Sequence, residues 1–299
     1  MLRNDLPPAT ASGNQVLVRV HASSVNPVDA AIAGGLLRGM VEYEFPVVLG
    51  RDYAGVVERV GPGEAGYSEG DHVFGFLLHA NPTVHAGSWC DLIAVPHDNF
   101  IAPAPAAIDL STAGTAPLAG ISAMTAFDAL DISDGGTVLI VGATGGVGSI
   151  ASQVAAHAGV SVLAPALPED EDYLRGLGVA QIVDRDADVA AAVRRLHPDG
   201  VDGLLDLVSY TPDALDAYAA ALKAGGRAAS TNGAAGDGPG RVNIMASPTA
   251  ENLRRLARLL EDGTITIPIQ ENYPIADAAD ALQALATRHT QGKIAISIA

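Results

Sequence analysis

A glycine-rich segment in the middle of the chain carries the clearest chemical signal. The apolar run 137–141 leads directly into the turn Gly142-Ala143-Thr144-Gly145-Gly146-Val147-Gly148. Glycine at a strand-to-helix corner lets the backbone turn tightly and approach a phosphate, whose charge the helix N-terminus favours. Gly145, Gly146 and Gly148 suit these roles best, although the motif alone also fits an ordinary tight turn. The segment predicts a dinucleotide pyrophosphate site formed by Thr144, Gly145, Gly146, Val147 and Gly148.

The residues around this turn predict the elements that must position it. Apolar side chains recur at helical spacing on one face after the turn: Val147, Ile150, Ala151, Val154, Ala155 and Ala158. Further along, short β-like runs at 160–164, 181–184, 203–208 and 227–230 alternate with helical runs at 169–177, 187–196 and 212–222. Such alternation is typical of a doubly wound parallel sheet, where ligands bind at the carboxyl ends of the strands. We therefore predict a nucleotide-binding Rossmann domain.

The chain is longer than one such domain requires. It has 299 residues, and the alternating series fills only its middle. The region before it is punctuated by Gly and Pro and contains β-like runs at 16–21, 55–60, 72–76 and 89–95. We therefore predict a second, mainly β domain.

Composition excludes several classes of partner. The formal net charge is −17, so the chain lacks the clustered Lys and Arg that neutralise nucleic-acid phosphates. The single cysteine, Cys90, rules out an internal disulfide and suits a reducing compartment, with the cytoplasm as the expected location. The N-terminus has no signal-peptide core, and no apolar run approaches the roughly 20 residues of a membrane helix. We expect no nucleic-acid or membrane partner.

Several islands of sequence, taken in order, resemble the medium-chain dehydrogenase/reductase superfamily, and within it the zinc-free quinone oxidoreductase branch that includes ζ-crystallin. The islands are 16–20, 25–29, 46–57, 70–75, 124–127, 142–148 and 292–294. The resemblance implies an α/β protein with a GroES-like, mainly β catalytic domain at 1–108 and 264–299. A Rossmann domain at 109–263 would be inserted between these two parts.

The resemblance also bears on metal binding. Zinc-dependent relatives carry a cysteine and a histidine-glutamate pair where this chain has Pro27-Val28-Asp29 and Gly50-Arg51-Asp52. Zinc needs three or four ligands in a tetrahedral cage, and no such set is visible. His79 and His85 are close in sequence but lack a third ligand at a suitable spacing. We predict no metal site.

Without a Lewis acid, the favoured chemistry is hydride delivery to an acceptor that is already electrophilic, such as a quinone or a conjugated enone. The resemblance implies that Asn26 and Asp29 lie in the loop facing the nicotinamide, and that Thr125 lies near its ribose or carboxamide. The Asn26 amide could then donate a hydrogen bond, and Asp29 could orient neighbours or relay a proton. In the structural alternative, Asn26-Pro27 shapes a turn and Asp29 caps a short helix. Both roles can hold together.

A tyrosine that follows the equivalent of Asp29 in many relatives is missing, because residues 30–37 read Ala-Ala-Ile-Ala-Gly-Gly-Leu-Leu. Its absence favours quinone reduction over a tyrosine-dependent enoyl-thioester reductase. Two alternatives stay open: an enoyl or double-bond reductase of secondary metabolism, and an NADPH-binding protein without catalysis.

Cofactor choice rests on the end of the second Rossmann strand. Residues 163–167 contain no acid to bind a ribose 2′-hydroxyl, which favours NADPH, with NADH as the alternative. The acidic run 169–172 argues the other way, since it would repel a 2′-phosphate that it faced. Arg185, after the third strand, could supply the positive charge; Arg175 is the other candidate, although a helix-surface role suits Arg175 better. At the end of the fifth strand, Thr231, Asn232 and Gly233 are expected to meet the nicotinamide amide.

The start of the β domain is shorter than in the family. Without the usual preceding strand pair, Val16–Val20 would present an unpaired edge that a partner subunit or a loop has to cover. On this ground, and by resemblance, we predict a homodimer.

Overall fold

The computed structural model describes residues 3, 5–35, 37–63, 66–78, 82–83 and 85–299. Its strands are β1 Gln15–Val25, β2 Asp52–Val60, β3 His72–Phe76, β4 Leu92–Pro96, β5 Ala102–Pro103, β6 Thr137–Val141, β7 Ser161–Ala166, β8 Val179–Asp184, β9 Val201–Asp206, β10 Leu222–Ser230, β11 Arg241–Asn243, β12 Ile269–Pro274 and β13 Lys293–Ser297. Its α-helices are α1 Pro27–Ala33, α2 Leu110–Ala113, α3 Pro117–Leu130, α4 Gly146–His157, α5 Glu171–Gly176, α6 Val189–Leu196, α7 Pro212–Ala219, α8 Ala250–Glu261 and α9 Ala278–Thr287. None of the helices in these ranges is long and apolar enough to cross a membrane.

The chain divides into two compact units. The first comprises Met1–Leu118, Ser247–Gly263 and Ile269–Ala299, and the second comprises Ala119–Ala246 and Thr264–Pro268. Helix α8 joins the first unit, where the Phe100 N–H donates to the Pro248 carbonyl at 2.8 Å just before the helix begins. Segment 264–268 joins the second unit, where the Thr266 N–H donates to Gln153 of α4 at 2.8 Å. These limits differ from the domain limits expected from the sequence. The expected limits, 1–108 with 264–299 and 109–263, stay a prediction.

The first unit is built on a seven-stranded sheet in the order β12-β13-β1-β2-β3-β5, with β4 also paired to β1. The pairs of β1 with β2, β4 and β13 are antiparallel. Val16, Val18 and Val20 point to one face of β1 because side chains alternate along a strand. Leu17 and residues 22–25 are buried as well, so β1 is covered along most of its length. Val16, Val18 and Val20 are fully buried in the core with Tyr53, Val57, Val73, Ile93 and Val95.

The expectation of an open edge at Val16–Val20 is wrong. β2 covers one side of this stretch, with Val16 opposite Val60 and Val20 opposite Gly55. β4 covers the other side, with Val16 opposite Val95. β4 begins at Leu92, later than the predicted start at Trp89, because the Trp89 N–H instead donates to the Leu49 carbonyl at 2.9 Å. The edge therefore gives no support to a dimer.

The second unit confirms the predicted parallel sheet. Six strands lie in the order β11-β10-β9-β6-β7-β8, and all their pairings are parallel. The predicted strands correspond to β7, β8, β9 and β10. The chain moves outward from β6 through β7 to β8, then returns to lay β9 on the other side of β6. The carboxyl ends of β6 and β9 therefore flank the switch point, where open parallel sheets bind ligands.

Helix α4 packs on this sheet through the face predicted from its apolar spacing. Ile150, Ala151, Val154 and Ala155 are buried, and β6 is buried from Val138 to Val141. Ala158 is exposed, contrary to the prediction, because the helix ends at His157 and Ala158 already leaves its axis. The long continuous burial of β6 fits a central parallel strand covered on both faces.

Candidate functional site

Three glycines of the turn after β6 have different structural tasks. Gly142 has a φ of +88°, a conformation that glycine adopts at little cost. A Cβ on Gly148 would lie 2.1 Å from the Gly142 carbonyl oxygen, so only glycine lets α4 approach this turn so closely. Gly145, the N-cap of α4, has an extended backbone, and a Cβ there would lie 3.6 Å from the same oxygen. The fold itself therefore needs glycine at 142 and 148, but not at 145.

The N-terminus of α4 presents backbone donors. The Gly145 N–H donates to the Gly142 carbonyl at 3.2 Å, and the first intrahelical bond runs from the Ser149 N–H to the Gly145 carbonyl at 2.9 Å. The N–H groups of Gly146, Val147 and Gly148 precede that bond and point out of the helix end. The first turn of α4 holds no acidic residue. Together with the helix dipole, these donors form a site suited to an anion.

The loops after β9 and β10 are tied together at the same edge of the sheet. Asp206, the last residue of β9, is fully buried, and its Oδ1 accepts from the N–H groups of Val208 at 2.9 Å and Ser209 at 3.0 Å. The Asn232 Nδ2 donates to the Leu207 carbonyl at 3.1 Å. Asn232 therefore uses its side chain to join the two loops. Thr231 is half-buried beside it, and Gly233 is exposed with a φ of +81°.

Arg185 lies at the carboxyl ends of β7 and β8. Its N–H donates to the carbonyl of Ala166, the last residue of β7, at 3.3 Å. Its side chain is 47% exposed, and its Nε lies 3.7 Å from the Asp186 carboxylate. In the nearby acidic run, Asp170 is buried and accepts from the Leu167 N–H at 3.3 Å. That carboxylate therefore faces the protein's own backbone.

Tyr173 lies against the glycine turn, although nothing in the sequence pattern pointed to it. Its hydroxyl donates to the Thr144 carbonyl at 3.4 Å. Burial raises the pKa of Tyr173 to about 12, so the hydroxyl stays protonated and able to donate. Thr144 and Val147 are half-buried at the turn, and Thr125 is half-buried on α3.

In the first unit, Asn26 lies in a buried polar network. Its Nδ2 donates to Asp52 Oδ2 at 2.8 Å, and its Oδ1 accepts from Lys293 Nζ at 2.7 Å. The Ser24 hydroxyl donates to the same Asp52 oxygen at 2.6 Å, and the Leu118 N–H donates to Asp52 Oδ1 at 2.7 Å. Both ends of the Asn26 amide therefore bond to protein groups.

Asp29 is also engaged internally. Its Oδ2 accepts from the Asn26 N–H at 2.8 Å, and its Oδ1 accepts from the Gly50 N–H at 3.1 Å. The first bond joins the third residue of α1 to the N-cap, so the capping arrangement considered from the sequence is present. Burial raises the pKa of Asp29 to about 7, against the opposing effects of the two N–H donors and of Arg51.

The network contains a buried cation. Lys293 is 4% exposed, and its Nζ lies 3.5 Å from Asp52 Oδ2. Burial lowers the pKa of Lys293, while the neighbouring Asp52 and Asp29 oppose that shift. Burial also lowers the pKa of Arg51, and Asp29 again opposes the shift. One cluster of ionisable groups therefore surrounds the loop that starts α1: Asp29, Arg51, Asp52 and Lys293.

Comparisons with known proteins match both units. Residues 12–106 match the family described as alcohol dehydrogenase GroES-like domain, and residues 177–296 match the zinc-binding dehydrogenase family. A chloroplast envelope quinone oxidoreductase homolog from Arabidopsis thaliana is 25% identical over 97% of this chain and 92% of its own length. An NADPH-dependent alkenal/one oxidoreductase, chloroplastic, from the same plant is 29% identical over 95% of this chain and 72% of its own length. A mycobacterial structure in complex with NADPH is 26% identical with a TM-score of 0.83, covering 98% of this chain and 94% of the other.

The chain belongs to the medium-chain dehydrogenase/reductase superfamily. The predicted resemblance and fold class are therefore confirmed, with a GroES-like, mainly β domain and a Rossmann parallel sheet.

Among the described residues of this dehydrogenase/reductase, no set of ligands for a zinc ion is found. Where zinc-dependent relatives carry ligands, Asp29 and Asp52 accept hydrogen bonds from the protein's own donors. Across the described part of the chain, no three His, Cys, Asp or Glu side chains converge as a metal site would require. His79 lies outside the described residues, so the pairing of His79 with His85 is not tested.

Sequence reasoning missed four residues of the candidate sites: Gly142, Asp52, Tyr173 and Lys293. Gly142, Asp52 and Lys293 lie inside islands that carried the family resemblance, so a signal for them was present. Tyr173 stands in an acidic run with no motif around it.

Proposed function

We propose that this protein is an NADPH-dependent, zinc-independent reductase that delivers hydride to quinones or related conjugated enones. The observation that carries the proposal is the glycine turn that opens α4 at the switch point of the parallel sheet. The names of the two plant relatives support the acceptor class. The choice of NADPH as cofactor is supported by the name of the NADPH-dependent alkenal/one oxidoreductase and by the NADPH complex of the mycobacterial neighbour.

The second unit supplies groups that fit a dinucleotide. The N–H groups of Gly146, Val147 and Gly148 would hold the pyrophosphate, with Thr144 and Gly145 lining its approach. Arg185 would pair with the 2′-phosphate, since it lies beside the last residue of β7, where NAD-dependent proteins carry an acid. Thr125 and the backbone of Thr231, Asn232 and Gly233 would contact the nicotinamide half. NADPH, when bound, supplies the hydride.

In this proposal the first unit contributes residues that position the loop facing the nicotinamide. Asn26 and Asp29 are the residues proposed to lie in the loop facing the nicotinamide. Because both side chains bond to protein groups, we assign them the positioning of that loop rather than donation to the acceptor or proton relay. Hydride addition to a quinone leaves a hydroquinone anion, which takes its proton from solvent.

A second candidate is a double-bond reductase acting on conjugated aldehydes or ketones. It is favoured by two names, the alkenal/one oxidoreductase and a 2-methylene-furan-3-one reductase from Solanum lycopersicum that is 28% identical. A third reading, NADPH binding without turnover, rests on the missing tyrosine after Asp29.

One experiment separates these candidates. NADPH and NADH are titrated by fluorescence, and turnover is then measured with a panel of quinones, conjugated aldehydes, ketones and thioesters in the presence of a metal chelator. We expect NADPH to bind more tightly than NADH and quinones to turn over fastest. Activity abolished by the chelator and restored by zinc would reject the metal-free mechanism. Tight NADPH binding without turnover of any acceptor would support the third reading.

We also propose a cytoplasmic homodimer. The cytoplasm is proposed because the sequence holds a single cysteine, and the dimer rests on family resemblance alone. Sedimentation of the purified protein at several concentrations tests the dimer, and a single monomeric species throughout would reject it.

A further inference from the structure

We propose that Lys293, together with Asp52, is a positioning residue for segment 25–29, the loop that joins the end of β1 to the start of α1. Lys293 acts by holding Asn26 and Val25 in place. This inference rests on the proposed function, in which that loop faces the nicotinamide. Lys293 Nζ donates to Asn26 Oδ1 at 2.7 Å and lies 3.5 Å from the Val25 carbonyl oxygen. The ammonium group therefore contacts the loop at two consecutive residues.

Charge fixes which way the Asn26 amide points. Lys293 has only donors, so the amide end beside it must be the oxygen. Asp52 Oδ2 accepts the hydrogen bond on the other side, so the amide end beside it must be the nitrogen. A rotation of the amide by a half turn would place N–H groups against the ammonium and the oxygen against the carboxylate. Only one of the two orientations is therefore compatible with the network.

Asp52 connects this amide to the rest of the unit. It stands at the start of β2 and accepts from Ser24 at the end of β1 and from the Leu118 N–H in the first turn of α3. Lys293 stands at the start of β13, whose next residue, Ile294, pairs with Val25. Elements far apart in sequence thus meet at one buried point. Ser24 and Leu118 hold the Asp52 carboxylate, and Asp52 and Lys293 in turn bond to Asn26.

The energetic cost of this arrangement argues against a role in stability alone. Taking a lysine and an aspartate out of water is costly, and well-packed apolar residues often stabilise a protein as much as a buried ion pair does. The other lysine of the sequence, Lys223, is 46% exposed and pairs with Asp202 at the surface. The chain therefore contains a buried and an exposed lysine–aspartate pair, which can be compared directly.

The first test does not depend on turnover. In protein labelled with ¹³C-lysine, the two lysines give two sets of side-chain signals, assigned with a Lys223→Arg variant. We expect saturating NADPH to shift the Lys293 signals and to leave those of Lys223 in place. Adenosine 2′,5′-bisphosphate, which lacks the nicotinamide, should shift neither. A Lys293 signal that NADPH leaves unchanged would overturn the inference.

The second test uses kinetics of Lys293→Met, the double variant Lys293→Met/Asp52→Asn, and Lys223→Met as the matched control. We expect Lys293→Met to lower kcat by about 10- to 100-fold through misplacement of the loop, with a lowered Tm. The double variant removes the unpaired buried charge but places an amide NH2 against a donor of this network, so part of the lost Tm should return while kcat stays low. Lys293→Arg, which keeps a cationic donor, should recover part of kcat.

The outcomes separate this inference from the proposed function. A folded double variant with the kcat of the parent protein would overturn the positioning role, because stability alone would then explain the network. Absence of turnover by the parent protein with every acceptor would reject the reductase instead. In that case the response of the Lys293 signals to NADPH still decides whether this residue supports a nicotinamide-facing loop.

Discussion

The Cα of Gly148 faces the carbonyl oxygen of Gly142 so closely that a Cβ on Gly148 would lie 2.1 Å from that oxygen. Backbone cannot move aside as a flexible side chain can, so Gly148→Ala must push α4 away from the turn. We expect a loss of about 1–3 kcal/mol in the free energy of unfolding, measured by urea denaturation.

Gly145→Ala is the matched control for that variant. Its Cβ would meet the same oxygen at an ordinary 3.6 Å, and its φ of −74° suits any residue. We expect a change within about 0.5 kcal/mol. Equal destabilisation by the two variants would contradict the assignment of Gly148 to close packing.

Gly146→Val tests ligand approach rather than folding. Gly146 is the first residue of α4, and a β-branched side chain there would enter the space assigned to the pyrophosphate. We expect the Kd for NADPH to rise at least tenfold, about 1.4 kcal/mol, with little change in Tm. Ala250→Val, at the first position of α8, places the same side chain on a helix with no proposed ligand and should leave the Kd unchanged. An unaltered Kd in Gly146→Val would count against the phosphate site.

Arg185→Ala tests cofactor choice. A charged hydrogen bond to the 2′-phosphate contributes about 1.5–3 kcal/mol, so we expect the Kd for NADPH to rise about tenfold or more. The Kd for NADH should stay within about twofold, because NADH lacks that phosphate. Arg175→Ala serves as the control, since its guanidinium already donates to the carbonyls of Val179 and Ala180. Parallel losses for both cofactors would assign Arg185 to folding.

The parallel sheet could be predicted because its signals are local. The apolar run that became β6 and the helical spacing that became α4 are each visible within a dozen residues, and the alternation of such runs limits the topology. The glycine turn was visible for the same reason. The positive φ of Gly142 could not be predicted, because a glycine required by its backbone conformation looks the same in sequence as any other glycine.

The wrong prediction about the edge of β1 came from a contact between distant segments. β4 covers the edge of β1 although their first residues, Gln15 and Leu92, are 77 positions apart (92 − 15), and no local sequence pattern predicts such a pairing. The partners of Asn26 pose the same difficulty, because Lys293 is separated from it by 267 positions. The hydrophobic pattern of a sequence does not show where the hydrogen-bond partner of a buried polar residue lies. The family resemblance identified the correct sequence islands, but only the structure shows which residues of different islands are in contact.

Asp29 predicts a distinctive dependence of stability on pH. Its pKa is about 7 in the folded protein, raised chiefly by burial, against an ordinary value of 3.8. Between these values the folded protein keeps a proton that the unfolded chain has lost. The stabilisation from Asp29 is therefore complete below about pH 4 and is lost as pH rises to about 7, with a slope of at most about 1.4 kcal/mol per pH unit.

Asp29→Asn cannot titrate, so the difference in free energy of unfolding between parent and variant should shrink across this window. Urea denaturation of both proteins at half-unit intervals from pH 4.5 to 8 measures that difference, and a constant offset would mean that Asp29 is ionised throughout.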